Sequence, residues 1–221
     1  MITVALDYVP LILNGLLLTV EVTLFGIFVG LGIGVLLAIG DIYGGKGASA
    51  IIRVYVEFFR GSPLIVQLLI AEYTVPALLQ IRINAYLVGF IVFALNSAAY
   101  QKGYIKGAID TVSNDQMDAG LSVGMSKVQT ITYIILPQAL RIVIPAWSNE
   151  FCSLTKSTAA LSLIGIADLT QAGTTIAGLT YIILPTWIGI AAIYLTWITL
   201  FTKLTDIIYE KKKIPGLEIS L

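Results

Sequence analysis

Histidine is absent from the 221-residue sequence, and cysteine occurs once, at Cys152. The first absence removes the commonest general base and the commonest metal ligand of proteins. The single cysteine excludes an intrachain disulfide framework. We therefore predict that the chain is not an enzyme, and we expect no metal site and no cofactor in it.

Charge is also scarce. Charged residues make up 12% of the sequence and hydrophobic residues 57%, and the mean hydropathy is +0.92. A soluble domain of this size cannot bury that much apolar surface, so the composition predicts an integral membrane protein. The formal net charge of zero gives no reason to expect a nucleic-acid partner. Apolar runs fill nearly the whole chain, so we expect one membrane domain over residues 1–221.

Five apolar runs have the length of about 20 residues that a helix needs to cross the hydrocarbon core. The predicted spans cover residues 11–39, 51–79, 86–109, 137–166 and 181–204. Asn149 and Glu150 interrupt the fourth, and a count of four or six fits the same pattern. The predicted fold is all-α, with a membrane core over about residues 11–209 and a cytoplasmic segment between the third and fourth spans.

Basic residues predict the orientation, because short cytoplasmic loops retain lysine and arginine. They occur in the first connection at Lys46, in the third at Lys127 and in the tail at Lys212, whereas the connection at residues 167–180 has none. We therefore predict an outside N-terminus and a cytoplasmic C-terminus. No basic region precedes the first apolar run, so we expect that run to be a retained span and not a cleaved signal peptide.

Residues 40–47, GDIYGGKG, come close to a phosphate-binding loop. Gly40, Gly45 and Lys46 have the required spacing, but Gly47 stands where the motif needs a magnesium-binding hydroxyl. The motif also follows a strand, and here the preceding element is a predicted membrane helix. We predict that this chain does not itself bind ATP.

Small residues recur one turn apart in the first span, at Gly26, Gly30, Gly34 and Ala38. Such a stripe lets a second helix approach closely within a membrane. It predicts helix packing inside the chain or, alternatively, dimerisation of two chains.

The polar segment at residues 113–137 carries two capping boxes. Ser113 and Ser126 are each followed three residues later by a glutamine, the spacing that starts a helix. Gly124 lies between them as a helix stop, and Pro137 disfavours helical geometry in the residue before it. The pattern predicts a bent pair of short helices in the cytoplasm, and an ordinary solvated loop is the alternative.

The same segment carries a family resemblance. Asp118-Ala119-Gly120, Gly124 and Ile134-Ile135-Leu136-Pro137 resemble the EAA motif, E-A-A-x3-G-x9-I-x-L-P, of permease subunits in type I ABC importers. The spacing matches throughout, and aspartate for glutamate and glycine for alanine are conservative departures. FFRGSPLIVQLL at residues 58–69 and LNSAAY at residues 95–100 are similar to spans of polar amino acid importers.

The resemblance implies a membrane permease subunit of an ATP-driven amino acid importer in a prokaryotic inner membrane. The implied partners are a second permease chain, identical or homologous, two cytoplasmic ABC ATPase subunits that bind ATP and magnesium, and an extracytoplasmic solute-binding protein. The EAA-like segment would be the coupling helix that contacts an ATPase subunit. Its expected coupling residues are Asp118, Ala119, Gly120, Gly124, Met125 and Ser126.

Polar residues inside the spans are candidates for the substrate path, because they are costly in lipid and face the bundle interior or water. The candidates are Gln67, Asn96, Ser97, Gly103, Glu150, Lys156 and Thr158. Glu150 and Lys156 are alternatively a structural pair. Many members of the resembled family carry glutamate where this chain has Gly103, which implies an uncharged substrate side chain or a non-identical partner permease. Close helix packing at Gly103 is the alternative.

Two other functions are compatible with the sequence. One is an ABC permease for another small solute, such as an osmolyte. The other is a secondary carrier driven by an ion gradient, and the coupling-like segment speaks against it.

Overall fold

The computed structural model describes residues 7–214, except the side chains of Ser113 and Asn114. From Val9 onward this part of the chain folds into eight helices joined by short turns and contains no strand, so the all-α prediction is confirmed. The helices are α1 Val9–Tyr43, α2 Gly45–Gly61, α3 Leu64–Leu79, α4 Ala85–Ser122, α5 Lys127–Ile142, α6 Ile144–Ile164, α7 Leu169–Thr180 and α8 Ile183–Lys212.

Two of these helices, α1 and α8, are long and apolar enough to cross a membrane. The pairs α2–α3 and α5–α6 are bent by 106° and 56° at short breaks, and each would add one span, giving up to four. The third predicted span, residues 86–109, lies within α4. That helix carries buried polar side chains, among them Asn96 and Gln101, which lower its apolar content.

The second predicted span is two helices at a sharp angle and not one straight rod. Ser62 has extended backbone angles, φ −116° and ψ 147°, directly before Pro63. Proline disfavours helical geometry in the residue that precedes it, so α2 ends there and α3 starts in a new direction. This bend forms one wall of the cavity described below.

Helices α1 and α4 pack against each other along the stripe of small residues. A Cβ on Gly30 would lie 3.0 Å from Ser97 Cβ, and one on Gly34 would lie 3.1 Å from Gln101 Cβ. Gly26 and Ala38 are buried on the same face. The stripe therefore serves helix packing within the chain, as one of the two interpretations predicted.

An ion pair joins the far end of this helix pair to the start of α2. Lys102 Nζ lies 2.6 Å from Asp41 Oδ2, and Ser49 Oγ donates to Asp41 Oδ1 over 2.6 Å. Both charged side chains are largely shielded, with 12% of each exposed. The pair therefore holds α1, α2 and α4 in one arrangement.

Two local predictions about helix boundaries are wrong. Helix α4 runs without a break through Ser113, so the first capping box does not start a helix there. No glycine or proline lies between Gly107 and Gly120, and the i to i−4 backbone ladder simply continues. Residues 167–180, expected to be a connection, contain α7, and the side chain of Asp168 caps its first turn by accepting from Thr170 N and Gln171 N.

Candidate functional site

A polar cavity of about 440 Å³ opens where the α2–α3 bend faces α4 and α6. One basic and one acidic side chain, Arg60 and Glu150, share it. The remaining lining is uncharged: Gly61, Ser62, Pro63, Leu64, Asn96, Tyr100, Tyr104, Asn149, Ser153, Leu154 and Ser157. Opposite charges in a small cavity of an otherwise apolar membrane domain indicate a site for a small polar solute.

Two amide side chains fix the bend that carries Arg60. Gln67 Nε2 donates to Phe59 O over 2.9 Å and to Ser62 O over 3.0 Å. Asn96 Nδ2 donates to Gln67 Oε1 over 3.0 Å and to Phe59 O over 3.2 Å. The last carbonyls of α2 have no partner within the helix, and these amides satisfy them. Their donors are therefore used in holding the cavity wall.

Arg60 is exposed toward the cavity and was not among the residues singled out from sequence. Its Cζ lies 5.1 Å from the ring centroid of Tyr100, within cation–π range. A Cβ on Gly103 would lie 3.4 Å from Arg60 Nη1. Among the described residues, no carboxylate oxygen lies within 4.0 Å of this guanidinium. The arginine thus keeps its donors available.

Glu150 is only 5% exposed, and its side-chain partners are Tyr104, whose OH donates over 3.5 Å, and Ser97. It does not pair with Lys156, the alternative considered from sequence. Six residues along a helix rotate the side-chain direction by about 240°, so the two point to different faces. Lys156 is exposed and lines a separate depression with Leu64 and Ser157.

The other candidate path residues do not line the cavity. Ser97 is fully buried between α1 and α4 and accepts from Gln101 Nε2 over 2.9 Å. Thr158 is buried as well, and its hydroxyl donates to Thr155 O over 2.9 Å and lies 3.5 Å from Tyr194 OH. Of the predicted set, the structure places Asn96 and Glu150 in the cavity wall and Gly103 beside Arg60. It places Gln67, Ser97, Lys156 and Thr158 outside the cavity lining.

A second candidate site is the turn between α4 and α5. Gly124 has φ +85°, Met125 N donates to Gly120 O over 3.0 Å, and Gly124 N donates to Leu121 O over 3.0 Å. These bonds form a Schellman motif, in which glycine takes the left-handed position. Ser126 and Gln129 then form the predicted capping box that starts α5. The helix stop and the second box are confirmed.

The turn exposes some predicted coupling residues and buries another. Asp118, Ala119, Gly124 and Ser126 are exposed, and Met125 is half-buried. Gly120 is buried, because Thr130 packs directly on it.

Four apolar side chains on the turn are exposed that the sequence did not single out. They are Leu121 at 41%, Val123 at 78%, Val128 at 71% and Tyr133 at 73%, which we call the turn surface. Periodicity cannot reveal such a surface, because an apolar residue in a short helix usually points to the core.

The fold and the two sites define a class: a helical membrane domain with a polar cavity and a rigid turn that presents apolar side chains. Residues 30–213 match the family described as "Binding-protein-dependent transport system inner membrane component". The chain belongs to this family.

Individual relatives agree with the family. The chain is 32% identical over 188 residues to the "Glutamine transport system permease protein GlnP" of Escherichia coli (strain K12), covering 85% of this chain and 86% of that protein. It is 29% identical over 205 residues to the "Arginine transport system permease protein ArtQ" of Bacillus subtilis (strain 168), covering 93% and 94%. A solved structure, "Crystal structure of an amino acid ABC transporter with histidines", aligns with a TM-score of 0.84 at 33% identity, over 94% of this chain and 96% of that one.

Proposed function

We propose that this chain is the permease subunit of an ATP-driven amino acid importer. It forms the translocation path with a second permease chain and receives its substrate from an extracytoplasmic binding protein. Two cytoplasmic ATPase subunits bind ATP and magnesium and drive the cycle, so ATP hydrolysis lies outside this chain. The named functions of its relatives in glutamine and arginine transport support an amino acid as the substrate.

The observation that carries the proposal is the turn surface. Its apolar side chains stand on a segment that is otherwise polar, next to the exposed Asp118. Exposed apolar side chains rimmed by polar residues mark a contact with another protein. The Schellman motif, the capping box and the contact of Gly120 with Thr130 make the turn rigid. A rigid element can transmit a rigid-body movement of an ATPase subunit to the helices.

The orientation of the chain across the membrane follows from the same assignment. If the turn contacts cytoplasmic ATPase subunits, Lys46, Lys127 and the basic tail lie on the cytoplasmic side and α7 lies toward the outside. This placement agrees with the distribution of basic residues in the sequence.

The test is Val123→Asp in the complete complex, reconstituted in vesicles with its ATPase subunits and binding protein. A charge in an apolar protein contact is costly when it has no partner. We expect at least a tenfold loss of ATP-dependent uptake. Thr111→Asp is the matched control, since it places the same charge at an exposed position of α4 away from the turn surface.

Undiminished uptake by assembled Val123→Asp complexes would contradict the role of the turn surface. Uptake that persists without ATPase subunits and follows an imposed ion gradient would instead establish a secondary carrier.

A further inference from the structure

The cavity between Arg60 and Glu150 has the charge pattern of a free amino acid, which carries one carboxylate and one ammonium group. We propose that Arg60 binds the α-carboxylate of the transported amino acid and Glu150 its α-ammonium group. We further assign Gly103 as the residue that keeps Arg60 available and so selects amino acids with uncharged side chains. This inference rests on the proposed function.

Arg60 suits a carboxylate for geometric reasons. A guanidinium is always charged and presents paired N–H donors that match the two oxygens of a carboxylate. The Arg60 Cζ atom lies over the Tyr100 ring, 5.1 Å from its centroid. In the described part of the chain no acidic group occupies these donors. The rigid Gln67–Asn96 amide network fixes the backbone beside it.

Glu150 supplies the opposite charge. Among the described residues, no lysine or arginine nitrogen lies within 4.0 Å of this almost completely buried carboxyl group, and Arg60 acts on it only from a longer distance. A buried carboxylate without a direct ion pair is costly, and a bound ammonium group reduces that cost. Lys156 cannot serve as the partner from its separate depression. The cavity of about 440 Å³ falls within the range of small-ligand sites.

The absence of a side chain at Gly103 determines which cavity groups are free to contact the side chain of the substrate. A Cβ at this position would already lie 3.4 Å from Arg60 Nη1, so an acidic side chain grown from it reaches the guanidinium. Such a pair would compete with the substrate carboxylate. With glycine, the two cavity charges serve the main-chain groups of the substrate, and only uncharged residues such as Asn149 and Ser153 are left for its side chain. The expected substrates are therefore zwitterions with neutral polar side chains.

The experiment measures initial uptake of glutamine, glutamate and lysine by the complete reconstituted complex. The variants are Arg60→Gln, Arg60→Lys, Glu150→Gln, Gly103→Glu, Gly103→Gln and the double variant Arg60→Gln with Gly103→Glu. We expect glutamine to be preferred by the unchanged protein, and kcat/KM for glutamine to fall at least tenfold in Arg60→Gln, Glu150→Gln and Gly103→Glu. Arg60→Lys keeps the charge, and Gly103→Gln adds the bulk without the charge, so both should retain more uptake.

The double variant separates a specific pairing from general damage. If Glu at position 103 acts by occupying Arg60, adding it to Arg60→Gln should cost little more than Arg60→Gln alone. Additive losses, equal losses in Gly103→Glu and Gly103→Gln, or undiminished uptake by Arg60→Gln would each overturn the proposal. A gain of lysine uptake in Gly103→Glu with glutamine uptake maintained would overturn the pairing of position 103 with Arg60.

The failure of this inference differs from a failure of the proposed function. If the unchanged complex shows no ATP-dependent amino acid uptake, the proposed function is wrong. If it transports amino acids and the variants leave kcat/KM as it was, only the assignment of Arg60, Glu150 and Gly103 is wrong. Copurification of all subunits with each variant shows that assembly is intact.

Discussion

Gly120 and Thr130 meet where the end of α4 touches the start of α5. A Cβ on Gly120 would lie 2.5 Å from Thr130 Oγ1 and 2.6 Å from Thr130 Cγ2. Neither distance is compatible with an ordinary contact, so only glycine allows the two helices to approach this closely. The glycine that departs from the EAA pattern is therefore required by packing inside the chain, and it shapes the turn without being exposed on it.

This contact predicts the effect of a single methyl group. Gly120→Ala should destabilise the turn by about 1–3 kcal/mol, the usual cost of overpacking. We expect a lower melting temperature of the purified complex and reduced coupling of ATP hydrolysis to uptake. Thr130→Ala removes the two clashing atoms, so the double variant should recover part of the loss. The control is Ala119→Ser, one residue away at an exposed position. A Gly120→Ala complex as stable and as active as the unchanged protein would contradict the packing argument.

At the scale of elements, side-chain amides hold the α2–α3 bend in addition to its own backbone hydrogen bonds. Proline ends α2, and the carbonyl oxygens of Phe59 and Ser62 accept from Gln67 Nε2. Phe59 O also accepts from Asn96 Nδ2 of α4. Gln67 is 4% exposed, so water cannot easily replace it. The network links three helices and sets the position of Arg60.

Removing this network should affect the bend and the cavity together. Gln67→Leu removes the side-chain amide donor of Ser62 O and one of the two amide donors of Phe59 O, at a cost of about 1–3 kcal/mol. We expect a lower melting temperature and a rise in KM for uptake, because Arg60 is no longer held in place. Thr196→Val is a suitable control, since within the described residues the exposed Thr196 hydroxyl donates to Ala192 O of its own helix and to no other helix. Equal stability of Gln67→Leu and Thr196→Val would show that the network does not stabilise the bend.

At the scale of the whole molecule, the helices can be tested for their direction across the membrane. Cys152 is the only cysteine, so Cys152→Ser gives a background without thiols. Lys46 is exposed in the first turn of α2, and Tyr181, directly after α7, is 85% exposed. With Tyr181→Cys, an impermeant maleimide should label intact cells.

Lys46→Cys should react only after the membrane is permeabilised. Cysteines at both positions that react from outside would overturn the predicted orientation, and reaction of Lys46→Cys alone would reverse it.

The sequence by itself determined the class of protein and the chemistry of its short local motifs. Composition alone excludes a soluble domain, because its apolar surface is too large to bury. Gly124 and the Ser126 capping box act through bonds spanning a few residues, and both occur in the structure as predicted. The stripe of small residues likewise follows from helical periodicity, although its partner helix does not.

Only the tertiary structure decided the features that depend on residues far apart in the chain, namely the cavity and the exposed turn surface. The sequence could not show that Gly103 lies beside Arg60. Arg60 lies at the end of α2 and Gly103 in α4, and their distance depends on the angle of the α2–α3 bend and on how α3 and the turn after it fold back. Ser113 has the spacing of a helix start, but the ladder of α4 continues through it. The exposure of Val123 and Val128 depends on which faces other helices cover. Local bonding fixes turns and caps, whereas a cavity and an exposed surface exist only once the helices have packed.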